Sequence, residues 1–152
     1  MKASAGFGFF LLFLAGIALV SLMNMRNDAA NAVPTAEQLA ANTWRPSNIG
    51  EMRLDSDSGM FVQFGADGEL TGHGGCNSFF SRYALEDSKI EVRAVSMTRK
   101  SCEPDVMSLE LSFVEALQLA TTVSGVGSRM AMRNERGEAM LRFVAMDEPP
   151  AE

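Results

Sequence analysis

Histidine, tryptophan and tyrosine each occur once in this chain, and cysteine occurs twice. These shortages remove whole classes of chemistry. A thiol catalyst needs a base and an orienting third group, and structural zinc wants four ligands at close paired spacings. Here there is one histidine and no C-x-x-C, so reading His73 and Cys76 as base and nucleophile, or adding Cys102 and Glu103 as zinc ligands, requires partners the chain does not supply. The glycines at 72, 74 and 75 are followed by neither a lysine nor a helix start, which disfavours a phosphate-cradling loop. No catalytic residue, metal ligand or cofactor is therefore expected. Positive charge is also scarce: beyond Ala32, 11 Lys+Arg stand against 18 Asp+Glu. That balance argues against a nucleic-acid partner and against peripheral binding to anionic lipid. Internal repeats and low-complexity blocks are absent as well.

What is present begins with an uncharged, mostly apolar run from Gly6 to Met23, preceded by Lys2 and followed by Arg26. Its 18 residues sit at the lower edge of what spans a bilayer and above the length of a usual secretory apolar region. Ala30 and Ala32 flank Asn31 in a small-x-small cleavage pattern just before Pro34. Residues 1–32 are thus expected to be a signal peptide or a single-pass membrane anchor forming an apolar helix. Both readings place the remainder outside the cytoplasm. No cysteine follows the run, which excludes a lipoprotein.

Residues 33–42 are polar and Ala-rich and read as a linker or a short helix. The folded domain is expected over 43–146, with a disordered tail at 147–152. Its punctuation is that of hairpins. "MFVQF" is stopped by "GADGE" and resumed by "LTGHGG"; "SRYALEDSKIEVRAV" turns at "EDSK"; "SRMAMRN" and "AMLRFVAM" flank "ERGE". Between the second and third lies "EPDVMSLELSFVEALQLAT", a helix over 103–121 with Pro104 in its first turn. At 100° per residue, Val106, Leu109, Phe113, Ala116, Leu117 and Ala120 share a face, which Met107, Leu111 and Val114 broaden. The fold class implied is α+β, an antiparallel sheet with one packed helix.

Trp44, the run from Phe64 to Asn77 that ends in Gly75-Cys76-Asn77, "MTRKSC" at 97–102, Glu110 followed by Phe113 and Leu117, and a closing "LRF" at 141–143 together resemble the META domain, or HslJ-like, family. The resemblance covers about residues 43–146. It implies a strongly bent antiparallel sheet with a helix against it. It also implies a small exported or envelope domain of bacteria, often associated with heat shock and other stress, with no established catalytic activity. The commoner members are lipoproteins, which this chain is not.

In an exported domain a lone cysteine pair is most simply a disulfide, and two buried thiols are the alternative. Closing the 26-residue separation between Cys76 and Cys102 would stabilise the fold by roughly 3 to 4 kcal/mol in the chain-entropy model. The glycines before Cys76 suit a sharp bend, with His73 on the surface and Asn77 fixing the turn. Glu110 projects inside the apolar arc of the helix, where a carboxylate must be paired. Arg99, Lys100 or free N–H groups near the Cys76 loop are its possible partners, and a buried acceptor tying helix to sheet is its expected role. Met130 and Met132 would face one side of a strand, as core filler or as a soft Cu(I) site. Arg93, Arg99 and Lys100 form a local basic patch.

The expected function is a non-enzymatic envelope protein, periplasmic or anchored in the inner membrane. It would work in envelope maintenance or stress tolerance through contacts with envelope proteins or peptides, an exposed sheet edge being one means of capture. The alternative is a small-ligand or metal-binding domain using the concave side of the sheet.

Overall fold

A computed structural model describes residues 28–146. The apolar run from 6 to 23, read as signal or anchor, and the tail at 147–152 lie outside them. Among the described residues no helix is long and apolar enough to cross a membrane.

The three expected hairpins form. In the first, β3 (Met60–Phe64) pairs with β4 (Glu69–Gly74), so that Met60, Val62, Phe64 and Leu70 are buried. Period-two burial of this kind is what an antiparallel strand with one covered face requires. β5 (Ser78–Glu86) pairs with β6 (Lys89–Val92) across a turn that holds Asp87 at φ 52°. β9 (Arg129–Arg133) pairs with β10 (Ala139–Met146), burying Met130, Met132, Leu141 and Phe143.

Four strands carry no such signal. β1 (Thr43–Ile49) contains Pro46, and the register shifts between Pro46 and Asn48, a bulge that accommodates the residue lacking an N–H. β2 (Met52–Arg53), β7 (Ser96–Met97) and β8 (Thr122–Ser124) are two or three residues long. Their placement changes the architecture. The sheet runs β10-β9-β8-β6-β5-β4-β3-β1, and β1 also pairs with β10, from Thr43 opposite Met146 to Ile49 opposite Leu141. The expected bent sheet therefore closes into an eight-strand barrel, mostly antiparallel β, with β2 and β7 as side strands on β1 and β5. Closure limits the expected free sheet edge to β2 and β7, which pair on one side only, because the ring strands have partners on both sides.

The expected helix is α2 (Pro104–Leu119), with Pro104 at its first position, and it packs against β1, β4, β6 and β10. Phe113 meets Phe79 of β5 and Phe143 of β10 edge-on, at 6.0 and 6.3 Å between centroids. Those two strands stand on opposite sides of the ring, so Phe113 fills the space across the barrel. The expected breadth of the apolar face needs correcting: Val114 is buried, but Met107 and Leu111 are exposed. The short helix α1 (Ala36–Ala40) is capped reciprocally by Thr35 and Gln38. Its weakly apolar sequence hides a core residue, for Leu39 is fully buried and its carbonyl accepts the indole N–H of Trp44 at 2.8 Å.

Candidate functional site

The glycine-rich stretch around His73 is a structural corner. Cys76 and Cys102 form a disulfide, tying the end of β4 to the segment before α2. Glu110 enters the same corner from α2 and is buried. One carboxylate oxygen accepts the backbone N–H of Asn77 at 2.6 Å and that of Cys76 at 3.2 Å, and the other accepts the Asn77 side-chain amide at 2.8 Å. All three partners are donors, which suits an acceptor-only carboxylate. Of the partners considered from sequence, the loop N–H groups are the ones that bond; neither Arg99 nor Lys100 forms an ion pair with Glu110. The Asn77 side-chain Oδ1 in turn accepts from Thr98 Oγ1 at 2.8 Å and from the Lys100 backbone N–H at 2.7 Å.

Two glycines make the corner possible. A Cβ on Gly74 would lie 2.6 Å from a Glu110 oxygen, and Gly75 holds φ at +102°, a region side chains rarely adopt. His73, expected on the surface, is half-buried: its Nδ1 accepts the Gly75 N–H at 3.1 Å and its ring stacks on Phe61. The whole constellation is hydrogen-bonded internally and presents no free reactive group. Among the described residues no three His, Cys, Asp or Glu side chains gather where they could hold a metal.

The remaining sequence candidates separate. Trp44 and Phe113 are core residues, and Met130 and Met132 point into the barrel as packing. Arg93, Arg99 and Lys100 are exposed. Ala30 and Ala32, the cleavage candidate, lie in a segment bound to the barrel: the Gly125 N–H bonds Ala32 O at 2.8 Å, and the Val126 N–H bonds Ala29 O at 3.2 Å. Tyr83 donates its hydroxyl to Gly65 O at 2.8 Å. Burial, and secondarily the negative charges of Asp67 and Glu37, push its phenol above the usual tyrosine range.

A second charged cluster forms only in the folded chain. An open cleft of about 460 Å³ on the outer face of the barrel is lined by Arg53, Arg129, Arg133 and Arg142, with Ser124 and Asn48 between them. Strand pairing gathers these scattered positions. Asn48 faces Arg53 and Arg142, Arg142 faces Ala131, and Ala131 faces Ser124, in one row across β2, β1, β10, β9 and β8. Arg129 and Arg133 flank Ala131 two residues away on β9, hence on the same face. The alternation of Arg129 and Arg133 with buried methionines was a readable sign of an outward basic pair, but Arg53 and Arg142 join it only through the barrel.

A model of the META domain family matches residues 37–147. Three solved structures share the fold. One determined by NMR is 20% identical, covering 74% of this chain and 95% of that one, with a TM-score of 0.60. A protein from Burkholderia xenovorans is 19% identical over 78% of this chain and 92% of its own, with a TM-score of 0.61. A DUF4847 family protein from Bacteroides vulgatus is 17% identical over 74% and 97%, with a TM-score of 0.60. No curated protein matches the chain.

Proposed function

Since this chain belongs to the META domain family, we propose that it is a non-enzymatic, exported module of the bacterial cell envelope, periplasmic or held at the inner membrane by its N-terminal segment. Its role is envelope maintenance or stress tolerance, exercised by binding. The observation that carries this reading is the Cys76–Cys102 disulfide, a bond that persists in oxidising compartments and is rare in the cytosol. The packed barrel interior and the internally bonded Glu110 corner leave binding to the outer surface. With the ring closed, free edges for a peptide remain only on the short side strands β2 and β7, and contacts with envelope proteins fall mainly to the outer surface. A thiol count on denatured full-length protein recovered from the envelope tests the reading. No free thiols before reduction and two after are expected; two free thiols in freshly isolated protein would overturn export.

The second reading is a small-ligand domain of the same compartment, and the arginine cleft favours it. A site on the concave side of the sheet contacted by Glu110 or the methionines loses support because those side chains are bonded or packed.

A further inference from the structure

The four arginines of the cleft stand out on an acidic chain because no described carboxylate pairs with them. Among the described residues the ion pairs are Arg82 with Glu69 and Arg136 with Glu138. Arg53, Arg129, Arg133 and Arg142 belong to neither, although the sequence carries 19 acidic residues against 13 basic ones. Arg133 is held by a 2.8 Å bond from its Nη1 to Ser124 Oγ, and Arg142 Nη1 reaches Gly50 O at 3.3 Å. Each guanidinium carries five N–H donors, so most of theirs remain free. Clustered like charges repel, and such a group is stabilised when an anion sits among them.

The geometry narrows the anion. The arginines approach from both ends of β9, from β10 and from β2, around a floor made small by Ala131. A planar carboxylate is satisfied by one guanidinium fork, whereas a tetrahedral phosphate offers oxygens in diverging directions and accepts from several forks at once. Ser124 and Asn48 add neutral polar groups between the charges. The volume falls within the roughly 300 to 1,000 Å³ of small-ligand sites. We propose that this cleft binds the phosphate group of a small phosphorylated ligand. The proposal deepens the ligand-binding reading above and rests on it. A free phosphorylated compound and a phospholipid headgroup share this chemistry.

The test uses the full chain, disulfide intact, in neutral detergent at low salt. Inorganic pyrophosphate, glycerophosphoglycerol (a deacylated headgroup) and citrate are titrated by calorimetry and by backbone amide shifts. Pyrophosphate is expected to saturate and to move the amides of Ser124, Gly125 and Ala131. Arg129→Ala and Arg142→Ala are each expected to weaken it about tenfold or more, since each removes a charge-assisted fork. Arg142→Lys, which keeps the charge and loses the fork, is expected to fall between, and the Arg99→Ala/Lys100→Ala pair on the other basic patch to leave binding unchanged. Glycerophosphoglycerol binding as tightly as pyrophosphate assigns the phosphate to a headgroup, and much weaker binding assigns it to a free compound. Citrate binding more tightly than both phosphate probes at the same amides overturns the phosphate assignment while preserving a ligand site. Equal binding by the alanine variants removes the cleft, and no saturable binding by any probe overturns both this proposal and the ligand-binding reading. Export is judged separately by the thiol count.

Discussion

The Glu110 corner and the arginine cleft are both charged clusters built from distant parts of the chain, and they are opposite in every other respect. In the corner one buried carboxylate meets three N–H donors, and the asparagine that serves it is itself served by Thr98 and Lys100. In the cleft four guanidiniums share open space with no carboxylate from the described residues. A charge whose bonding capacity is spent inside the protein is holding the protein together. Charges left with spare donors at a surface depression are positioned for something that arrives from outside.

Breaking the corner should cost the most. Glu110→Leu strands three donors, two of them backbone, and is expected to lose about 3 to 5 kcal/mol in urea unfolding. Glu110→Gln keeps one acceptor oxygen and should lose less; equal losses would remove the hydrogen-bonding account. Reducing Cys76–Cys102 should lower stability by roughly 3 to 4 kcal/mol, read as a shift of the unfolding midpoint with and without reductant. Trp44→Phe, which abolishes the bond to Leu39 O, is expected to cost about 1 to 2 kcal/mol, and its loss would separate α1 from the barrel energetically.

Arg142→Ala should change stability by less than about 0.5 kcal/mol, the usual range for exposed sites. A large loss there would make the cleft structural and collapse the contrast. The smallest effect concerns Tyr83, the single tyrosine. Its folded phenol titrates above the ordinary value of about 10, so its stabilising contribution is complete below the unfolded pKa and disappears as pH rises through the folded one. Ultraviolet titration of native against denatured protein should show the native curve displaced to higher pH.

The three hairpins were legible because their turns carry Asp67-Gly68, Asp87-Ser88 and Arg136-Gly137 between alternating strands. The helix was legible from its uninterrupted apolar periodicity, and the family from the spacing of Trp44, Gly75-Cys76-Asn77, Cys102 and Glu110. Barrel closure was hidden because β1 contains Pro46, which argues against a strand until the bulge beside it is seen. β2, β7 and β8 are too short for a periodic pattern. Leu39 gave no sign because one apolar contact in an alanine-rich turn is indistinguishable from linker. The cleft was illegible for a related reason. Residues 53, 129, 133 and 142 become neighbours only through register, whereas the basic stretch at 93–100 is contiguous in sequence.

Pairing of β1 with β10 fastens residues 43–49 to residues 141–146, nearly the whole domain apart along the chain. Among the described strands this fastening comes last in chain order, because its second partner is β10. Until it is made, two hydrogen-bonding edges stand open, and joining ends so distant is entropically slow. A chain shortened before residue 141 would keep all the earlier hairpins and still present both edges to its neighbours, a template for aggregation. The ring thus conceals its adhesive borders only once β10 has joined β1.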